Sequence, residues 1–310
     1  MLVRLRSLAE SYLFVLVVAL LVGLLVPQAQ ALVAWNTLIL QVIFFLSSLK
    51  LDVRQFLKLA KDWKTLLVST AFMLVVLPLM VRLALIWLPE AAASVAFALF
   101  LLAAMPSGMT SPLLVELVNG NQPLALVITI STSLLAPFTV PLMLLLGYGA
   151  SVQVDALGMF TTLALVIFLP FAVAMIVKAL LPKFIAKVSP KTKPFSTVLL
   201  GLLIAGAVAP HGDQIISFAR TDILGFLLII LALFVFFAVL HLFGFYAAWW
   251  KKRHDRQTVA ICLTYMNFTL AIFLAGKYFP DTNIVLALVL SIIPWATLLP
   301  VWKKVSAKLR

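Results

Sequence analysis

Apolar stretches long enough to cross a lipid bilayer recur about ten times along the 310 residues of this chain. A crossing helix needs roughly 20 mostly apolar residues. Charged residues make up only 11% of the chain, whereas a water-soluble domain contains about 25%. The sequence therefore predicts an all-α polytopic membrane protein. The expected spans are residues 12–31, 33–49, 65–88, 91–118, 124–147, 156–177, 195–212, 223–249, 257–276 and 283–302.

The basic residues alternate with these spans as the positive-inside rule requires. With ten spans and an inner N-terminus, all but three of the 23 lysines and arginines fall in inner segments. The exceptions are Arg82, Arg220 and Lys277. We therefore expect a multi-pass protein of the plasma membrane with both termini in the cytoplasm. The net charge of +13 then reflects this bias and does not indicate nucleic-acid binding, so the expected partner of the surface is the lipid bilayer.

Ten spans divide into two sets of five. Because five is odd, the two halves would enter the membrane with opposite orientations, as they do in inverted-repeat transporters. The first repeat is expected over residues 1–150 and the second over residues 151–310. The fourth and ninth spans then hold corresponding places in the two halves.

The fourth span contains three helix-weakening residues in its middle, namely Pro106, Gly108 and Pro112. Proline removes a backbone donor and clashes with the preceding turn, and glycine weakens the helix further. An unwound segment at membrane depth is tolerated only inside protein or beside a water-filled cavity. The pattern favours a functional break, and a simple proline kink is the alternative. The candidate substrate-binding residues here are Ser107, Gly108, Met109 and Thr110.

The ninth span lacks a central proline or glycine, but it carries several polar residues at mid-membrane. Such groups need hydrogen-bond partners in lipid, and bonding between helices is the structural alternative to a binding role. Their place opposite the fourth span favours substrate binding. The candidate residues are Thr264, Tyr265, Asn267 and Thr269.

At these two segments the chain resembles the bile acid:sodium symporter family. Residues 106–112 resemble the family's Pro-Gly-Gly-Thr-Ala-Ser-Asn, and residues 119–121 resemble its short turn of glycine with asparagine or aspartate. Residues 131–137 resemble its Ser-Thr-Leu-x-x-Pro run. Residues 265–271 resemble its Gly-Met-Gln-Asn-Ser-Gly-Leu-Ala, aligned on Asn267.

The resemblance implies a secondary active transporter of an organic anion or small carboxylate that works by alternating access. In the family, spans 4 and 9 are discontinuous and cross, sodium ions bind behind the crossing, and the anion binds in front of it. Spans 1, 2, 6 and 7 form a panel domain, and the other spans form a core domain that moves against it. Asn267 matches the family asparagine near the substrate.

The family's sodium ligands are only partly present in this chain. Ser111 and Thr129 match family ligands, whereas the family glutamate falls on Cys262 and the family glutamine on Met266. Sodium prefers hard oxygen ligands, as other hard cations do, and thiol and thioether are poor substitutes. The sequence therefore does not support two sodium sites of the family type, and it indicates no other cofactor.

One acidic residue, Glu116, falls within an expected span and is the candidate proton site. The alternative is an interfacial carboxylate that reaches inner water. His241 in span 8 is expected to be neutral and hydrogen-bonded to a neighbouring helix, and Arg82 is expected to extend to the membrane interface. Trp295 and Trp302 are interpreted as packing or interface residues.

Two alternatives to an anion symporter remain open. The first is a proton-coupled or uncoupled carrier of the same fold, such as an arsenite or auxin-type efflux carrier. Residues 267–272 resemble the arsenite exporters' Asn-Phe-Glu-Leu-Ala, with Thr269 in place of the glutamate. The second is a membrane receptor or scaffold that does not transport. No catalytic motif is present, so the sequence does not predict an enzyme.

Overall fold

The computed structural model describes residues 12–50, 63–149, 154–279 and 281–309. Within these ranges the chain is helical and contains no β-strand. Part of the charge pattern that predicts the orientation of the chain lies outside the described residues. The basic residues concerned are Arg4, Arg6, Arg54, Lys58, Lys61 and Arg310.

The first half of the chain forms seven α-helices among its described residues. They are α1 (Tyr12–Leu25), α2 (Asn36–Ser48), α3 (Trp63–Ala71), α4 (Leu77–Leu85), α5 (Ala93–Ala103), α6 (Ser111–Leu117) and α7 (Gln122–Tyr148). A 3₁₀ segment, Pro27–Trp35, leads into α2, and a π segment, Phe72–Val76, joins α3 to α4. Pro78 cannot donate a backbone hydrogen bond to the preceding turn, and the π segment next to it widens the helix there.

The second half forms nine α-helices among its described residues. They are α8 (Ala156–Leu180), α9 (Pro182–Val188), α10 (Lys193–Val208), α11 (Gly212–Thr221), α12 (Ile223–Ala247), α13 (Arg253–Thr264), α14 (Phe268–Tyr278), α15 (Thr282–Leu290) and α16 (Ile292–Ser306). A short 3₁₀ turn, Ala209–His211, joins α10 to α11, so the expected seventh span continues as a helix to Thr221.

The described part of the chain contains 7 helical segments that are long and apolar enough to cross a membrane. Three shorter apolar helices, Phe14–Leu25, Glu90–Ala103 and Phe268–Tyr278, lie at the expected spans 1, 4 and 9. Spans 4 and 9 fall short because each is divided into two helices. The expectation of an all-α polytopic membrane protein is therefore confirmed, although ten uninterrupted spans are not present.

The helices pack as two groups. Helix α10 packs against α1 and α2, and α2 packs against α8, whereas α4–α7 and α12–α16 form the second group; α8 also packs against α7 of that second group. Close approach within each group depends on small residues, as is usual between membrane helices. A Cβ atom on Gly23 would lie 2.7 Å from the Val208 Cβ, and one on Gly244 would lie 2.7 Å from the Ala260 Cα. The two groups meet across a cavity described below.

Arg82 in α4 binds the end of a neighbouring helix. Its Nε atom donates a hydrogen bond to the Gly147 carbonyl oxygen at 2.8 Å, and its guanidinium carbon lies 4.4 Å from the centre of the Tyr148 ring. The last carbonyl groups of a helix attract cations because the helix dipole is negative there. Arg82 is thus half-buried against the C-terminus of α7, where the sequence predicted a side chain extended to the interface.

Candidate functional site

The two interrupted spans are paired at their breaks. One break covers residues 104–110, between α5 and α6, and the other covers residues 265–267, between α13 and α14. The Gly108 amide donates to the Tyr265 carbonyl at 2.8 Å, and the Asn267 amide donates to the Pro106 carbonyl at 2.8 Å. These bonds form an isolated antiparallel bridge between Ser107 and Met266. Each break thereby satisfies backbone groups that the other leaves without helical partners.

The local sequence explains why α6 and α14 begin where they do. Pro112 lies in the first turn of α6, where its missing amide costs no helical hydrogen bond. Asn267 caps α14, because its Oδ1 atom accepts a hydrogen bond from the Leu270 amide at 3.1 Å. The Ser111 hydroxyl donates to the Tyr265 carbonyl at 3.0 Å and joins the start of α6 to the other break.

A cluster of buried hydroxyl groups supports the bridge. The Ser107 amide lies 3.2 Å from the Thr132 Oγ1 atom, and the Thr129 hydroxyl donates to the Ser107 Oγ atom at 3.3 Å. The side chain of Cys262 in α13 lies next to Ser107. All four residues are at most 2% exposed. Helix α7 therefore holds the first break from one side, and α13 holds it from the other.

The residues at the family's sodium positions form a neutral environment. Ser111 and Cys262 are fully buried, and Met266 supplies a thioether in place of an amide oxygen. Among the described residues there is no group of three or more His, Cys, Asp or Glu side chains that could hold a metal ion. The Tyr265 carbonyl already accepts two hydrogen bonds. This set therefore provides no carboxylate, and two of its positions carry sulfur in place of the oxygen ligands that hard cations prefer.

A cavity of about 360 Å³ lies between the paired breaks and helices α2 and α10. It extends from the breaks to the ends of α2, α7 and α10, where Lys50, Gln122 and Ser196 lie. Its apolar wall is lined by Leu40, Phe44, Leu126, Leu200, Phe268 and Trp295. Concave, largely apolar sites with a few polar groups are typical of small-molecule binding.

The cavity brings together most of the substrate-binding residues expected from sequence. Those that line it are Gly108, Met109, Thr110, Asn267 and Thr269. Three others are buried within the protein and are not part of the lining: Ser107, Thr264 and Tyr265. Of the candidate ion ligands, Thr129 and Met266 line the cavity, and Ser111 and Cys262 do not.

Glu116 lies outside the cavity. Its side chain is exposed near the end of α6, and its Oε2 atom accepts a hydrogen bond from the side-chain Nε2 atom of Gln122 at 3.4 Å. Gln122 itself lines the cavity. The Glu116 carboxylate therefore does not line the cavity itself, but it contacts a residue that does.

Several cavity residues were not indicated by the sequence. Ser47 in the last turn of α2, Lys50 in the turn that follows it, and Ser196 in the first turn of α10 line the cavity from the wall opposite the breaks. Lys50 was counted only among the basic residues of an inner loop. Trp295 was interpreted as a packing residue, and its ring does pack 5.6 Å from Tyr265 and 5.2 Å from Phe268 while also lining the cavity.

His241 lies in the same helix group and is buried. Its Nδ1 atom is 2.8 Å from the Phe237 carbonyl, four residues earlier in α12, so its hydrogen bond is within its own helix and not to a neighbouring one. Its ring packs 5.3 Å from Tyr265 and 5.0 Å from Trp302. Trp302 is itself buried, and its Nε1 atom donates to the Gln257 Oε1 atom at 3.0 Å, so it packs inside the protein.

Comparison with known proteins gives relatives over much of the chain. The chain is 31% identical over 188 residues to the uncharacterized protein YbaS of Bacillus subtilis (strain 168), which covers 57% of this chain and 58% of YbaS. It is 24% identical over 193 residues to the probable sodium/metabolite cotransporter BASS5, chloroplastic, of Oryza sativa subsp. indica, covering 59% of this chain and 46% of that protein. For BASS1, chloroplastic, of Oryza sativa subsp. japonica, the identity is 23% over 187 residues, covering 58% and 43%.

The chain spans about half the length of the curated relatives it matches. A family model covers far more of it. The model of the SBF-like CPA transporter family matches residues 10–298, which include both breaks and the whole cavity lining. The resemblance to bile acid:sodium symporters is thereby confirmed at the level of the family. The chain belongs to the SBF-like CPA transporter family.

Proposed function

We propose that this protein is a secondary transporter that moves a small organic anion across the membrane by alternating access. The observation that carries the proposal is the cavity that lies directly against two hydrogen-bonded helix breaks. Unwound backbone at membrane depth occurs where it lines such a cavity. In this proposal the two halves are inverted repeats, and their interrupted helices cross at the bridge between Ser107 and Met266.

The electrostatics of the cavity favour an anion. The N-terminus of α14 begins at the cavity, and the positive end of a helix dipole attracts negative charge. Among the described lining residues, Lys50 is the one that carries a formal charge. Lys50, Gln122 and Ser196 all lie at the end of the helices that we assign to the cytoplasm. The conformation described here is therefore open to the inside under this proposal.

The first test is uptake by proteoliposomes of radiolabelled acetate, pyruvate, benzoate and cholate. We expect uptake of one or more of the smaller carboxylates, since a cavity of about 360 Å³ is small for a steroid acid. We also expect that an imposed sodium gradient will not accelerate this uptake, because Cys262 and Met266 stand where the family has oxygen ligands. Protein-free liposomes are the control.

Three results would each contradict this proposal in a different way. Uptake that requires sodium would show that the neutral hydroxyl cluster binds the ion after all. The absence of flux for every carboxylate, together with flux of arsenite, would favour an efflux carrier of the same fold. If no solute is bound or moved, a receptor or scaffold becomes the better interpretation.

A proton-coupled carrier is the second candidate, and the position of Glu116 favours it. The carboxylate is bonded to Gln122, which lines the cavity. If protons drive transport through this group, uptake driven by a pH gradient will be lost in Glu116→Gln while exchange of internal for external solute continues. Glu90→Gln, which changes an exposed carboxylate outside the cavity lining, serves as the matched control. Gradient-driven uptake that persists in Glu116→Gln would exclude this carboxylate as the proton carrier.

A further inference from the structure

We infer that the end of α12, the start of α13 and the end of α16 together bind the headgroup of an anionic phospholipid. This basic surface consists of two segments, residues 251–256 and 303–308, with the adjacent Trp249 and Trp250. None of these residues lines the cavity, and the inference does not depend on the proposed transport function. The ligand is a phospholipid with a negatively charged headgroup, and phosphatidylglycerol is the probe.

Contacts between the helix ends bring the two segments together, although they are far apart in the sequence. The Arg253 Nη2 atom donates a hydrogen bond to the Ser306 carbonyl at 2.7 Å, which joins the start of α13 to the end of α16. The Arg256 Nε atom donates to the Phe245 carbonyl at 3.1 Å, which joins α13 to the end of α12. The Phe245 ring packs 5.8 Å from the ring of Trp302 in α16. The three helix ends therefore form one surface.

The basic surface has a large excess of positive charge. The two segments contain seven basic residues and one acidic residue, Asp255. The Asp255 Oδ1 atom accepts a hydrogen bond from the Asn121 side chain at 2.8 Å, so this carboxylate already has a partner within the protein. The charge pattern assigns this end of the helices to the cytoplasm, where the membrane leaflet has a negative surface potential. Four of the lysines are exposed, namely Lys252, Lys303, Lys304 and Lys308.

Exposed apolar side chains next to the lysines favour a lipid over a soluble anion. Trp249 and Trp250 are 72% and 56% exposed, and tryptophan is enriched at the headgroup level of membranes. On α16, Val301 and Val305 are also exposed. Lys304 lies three residues after Val301, so the two share one face of the helix. A phospholipid satisfies both kinds of group, since its acyl chains contact apolar side chains while its headgroup contacts the lysines.

Two simpler roles could account for part of this charge. Lys303 and Lys304 lie in the last turn of α16, where the helix dipole attracts cations. Basic residues at the inner ends of spans also set the orientation of a membrane protein during insertion. Neither role distinguishes an anionic lipid from a zwitterionic one. A comparison of phosphatidylglycerol with phosphatidylcholine therefore separates the proposed surface from both.

The test titrates the purified protein in detergent with each of the two lipids and measures binding by native mass spectrometry. We expect the wild type to bind phosphatidylglycerol more tightly, and this preference to weaken as the ammonium acetate concentration is raised, because salt screens exposed charges. The double variant Lys303→Gln and Lys304→Gln should bind phosphatidylglycerol about tenfold or more weakly, since each basic residue near the membrane surface contributes roughly fivefold. Its binding of phosphatidylcholine should not change.

The matched control is the double variant Lys183→Gln and Lys187→Gln, which removes two exposed lysines from α9. An equal loss in this control would show that any exposed lysine pair binds the lipid, which contradicts a defined surface. Equal affinity of the wild type for both lipids, a preference that salt does not weaken, or an unchanged preference in the Lys303 and Lys304 variant would also contradict it. Lys252→Gln with Lys308→Gln gives an independent reading should the first variant not fold.

A further arm distinguishes the lipid from a soluble phosphate. Glycerol 3-phosphate carries a charged phosphate but no acyl chains, so it should not displace phosphatidylglycerol at an equal concentration. Displacement at that concentration would assign the surface to a soluble phosphate compound and overturn the inference.

Discussion

Replacing Gly108 with alanine is expected to abolish solute uptake. A Cβ atom at this position would lie 2.7 Å from the Tyr265 carbonyl oxygen and 3.2 Å from the Met266 carbonyl oxygen. Both atoms belong to the backbone of the opposite break, which cannot rotate away as a flexible side chain would. The Gly108 amide donates to that same Tyr265 carbonyl at 2.8 Å. Alanine would therefore push the two breaks apart and deform the wall of the cavity.

The matched control is Gly276→Ala in α14. A Cβ atom there has no heavy atom within 4 Å, so the change creates no clash. Alanine is favoured over glycine in a helix interior by up to about 1 kcal/mol, and we expect uptake to be retained with equal or higher thermal stability. Initial rates of uptake and thermal unfolding in detergent are measured for both variants. If Gly108→Ala takes up solute at the wild-type rate, the close pairing of the breaks is not needed for transport.

The first break could be predicted from sequence because its causes are local. Pro106, Gly108 and Pro112 each weaken a helix by their own chemistry, whatever surrounds them. The second break has no such residue. Its backbone leaves the helix at Asn267. The side chain of Asn267 caps α14, and its backbone amide donates a hydrogen bond to the Pro106 carbonyl. That partner lies far away in the sequence, so the polar residues indicated the place but not the pairing.

The cavity was predicted less completely for the same reason. Asn267, Thr110 and Gly108 are recognisable by their place in the interrupted spans, and all three line the cavity. Lys50 and Ser196 acquire their place only when α2 and α10 pack together and face the breaks. Polarity alone also fails to show which way a side chain lies, since Tyr265 is polar and is buried outside the cavity lining.

The two helix groups are also joined by polar contacts at the end of the protein remote from Lys50. Lys277 at the end of α14 donates to the Thr162 hydroxyl of α8 at 2.8 Å, and Thr162 shares a hydrogen bond with the Tyr278 hydroxyl at 2.6 Å. His211 and Thr282 share another at 3.1 Å. None of these residues lines the cavity. Under the proposed function, these contacts would hold the cavity closed at this end in one state of the transport cycle.

Replacing Thr162 with valine is therefore expected to shift the protein toward the state that opens at the remote end. Valine removes both hydrogen bonds and leaves the Lys277 ammonium group without this partner. Each hydrogen bond contributes about 1 kcal/mol, so the population of the other state should rise by roughly tenfold or more. A cysteine at Leu126, which lines the cavity, reports this shift through labelling by a membrane-impermeant maleimide applied to the outer side. The native Cys262 is fully buried and should contribute little to the labelling.

Thr161→Val is the control, because the exposed Thr161 hydroxyl donates to the Leu157 carbonyl of its own helix at 2.9 Å. Equal labelling of the two valine variants would mean that Thr162 does not hold the outer end closed, and the cavity would then have to be gated by other contacts between the helix groups.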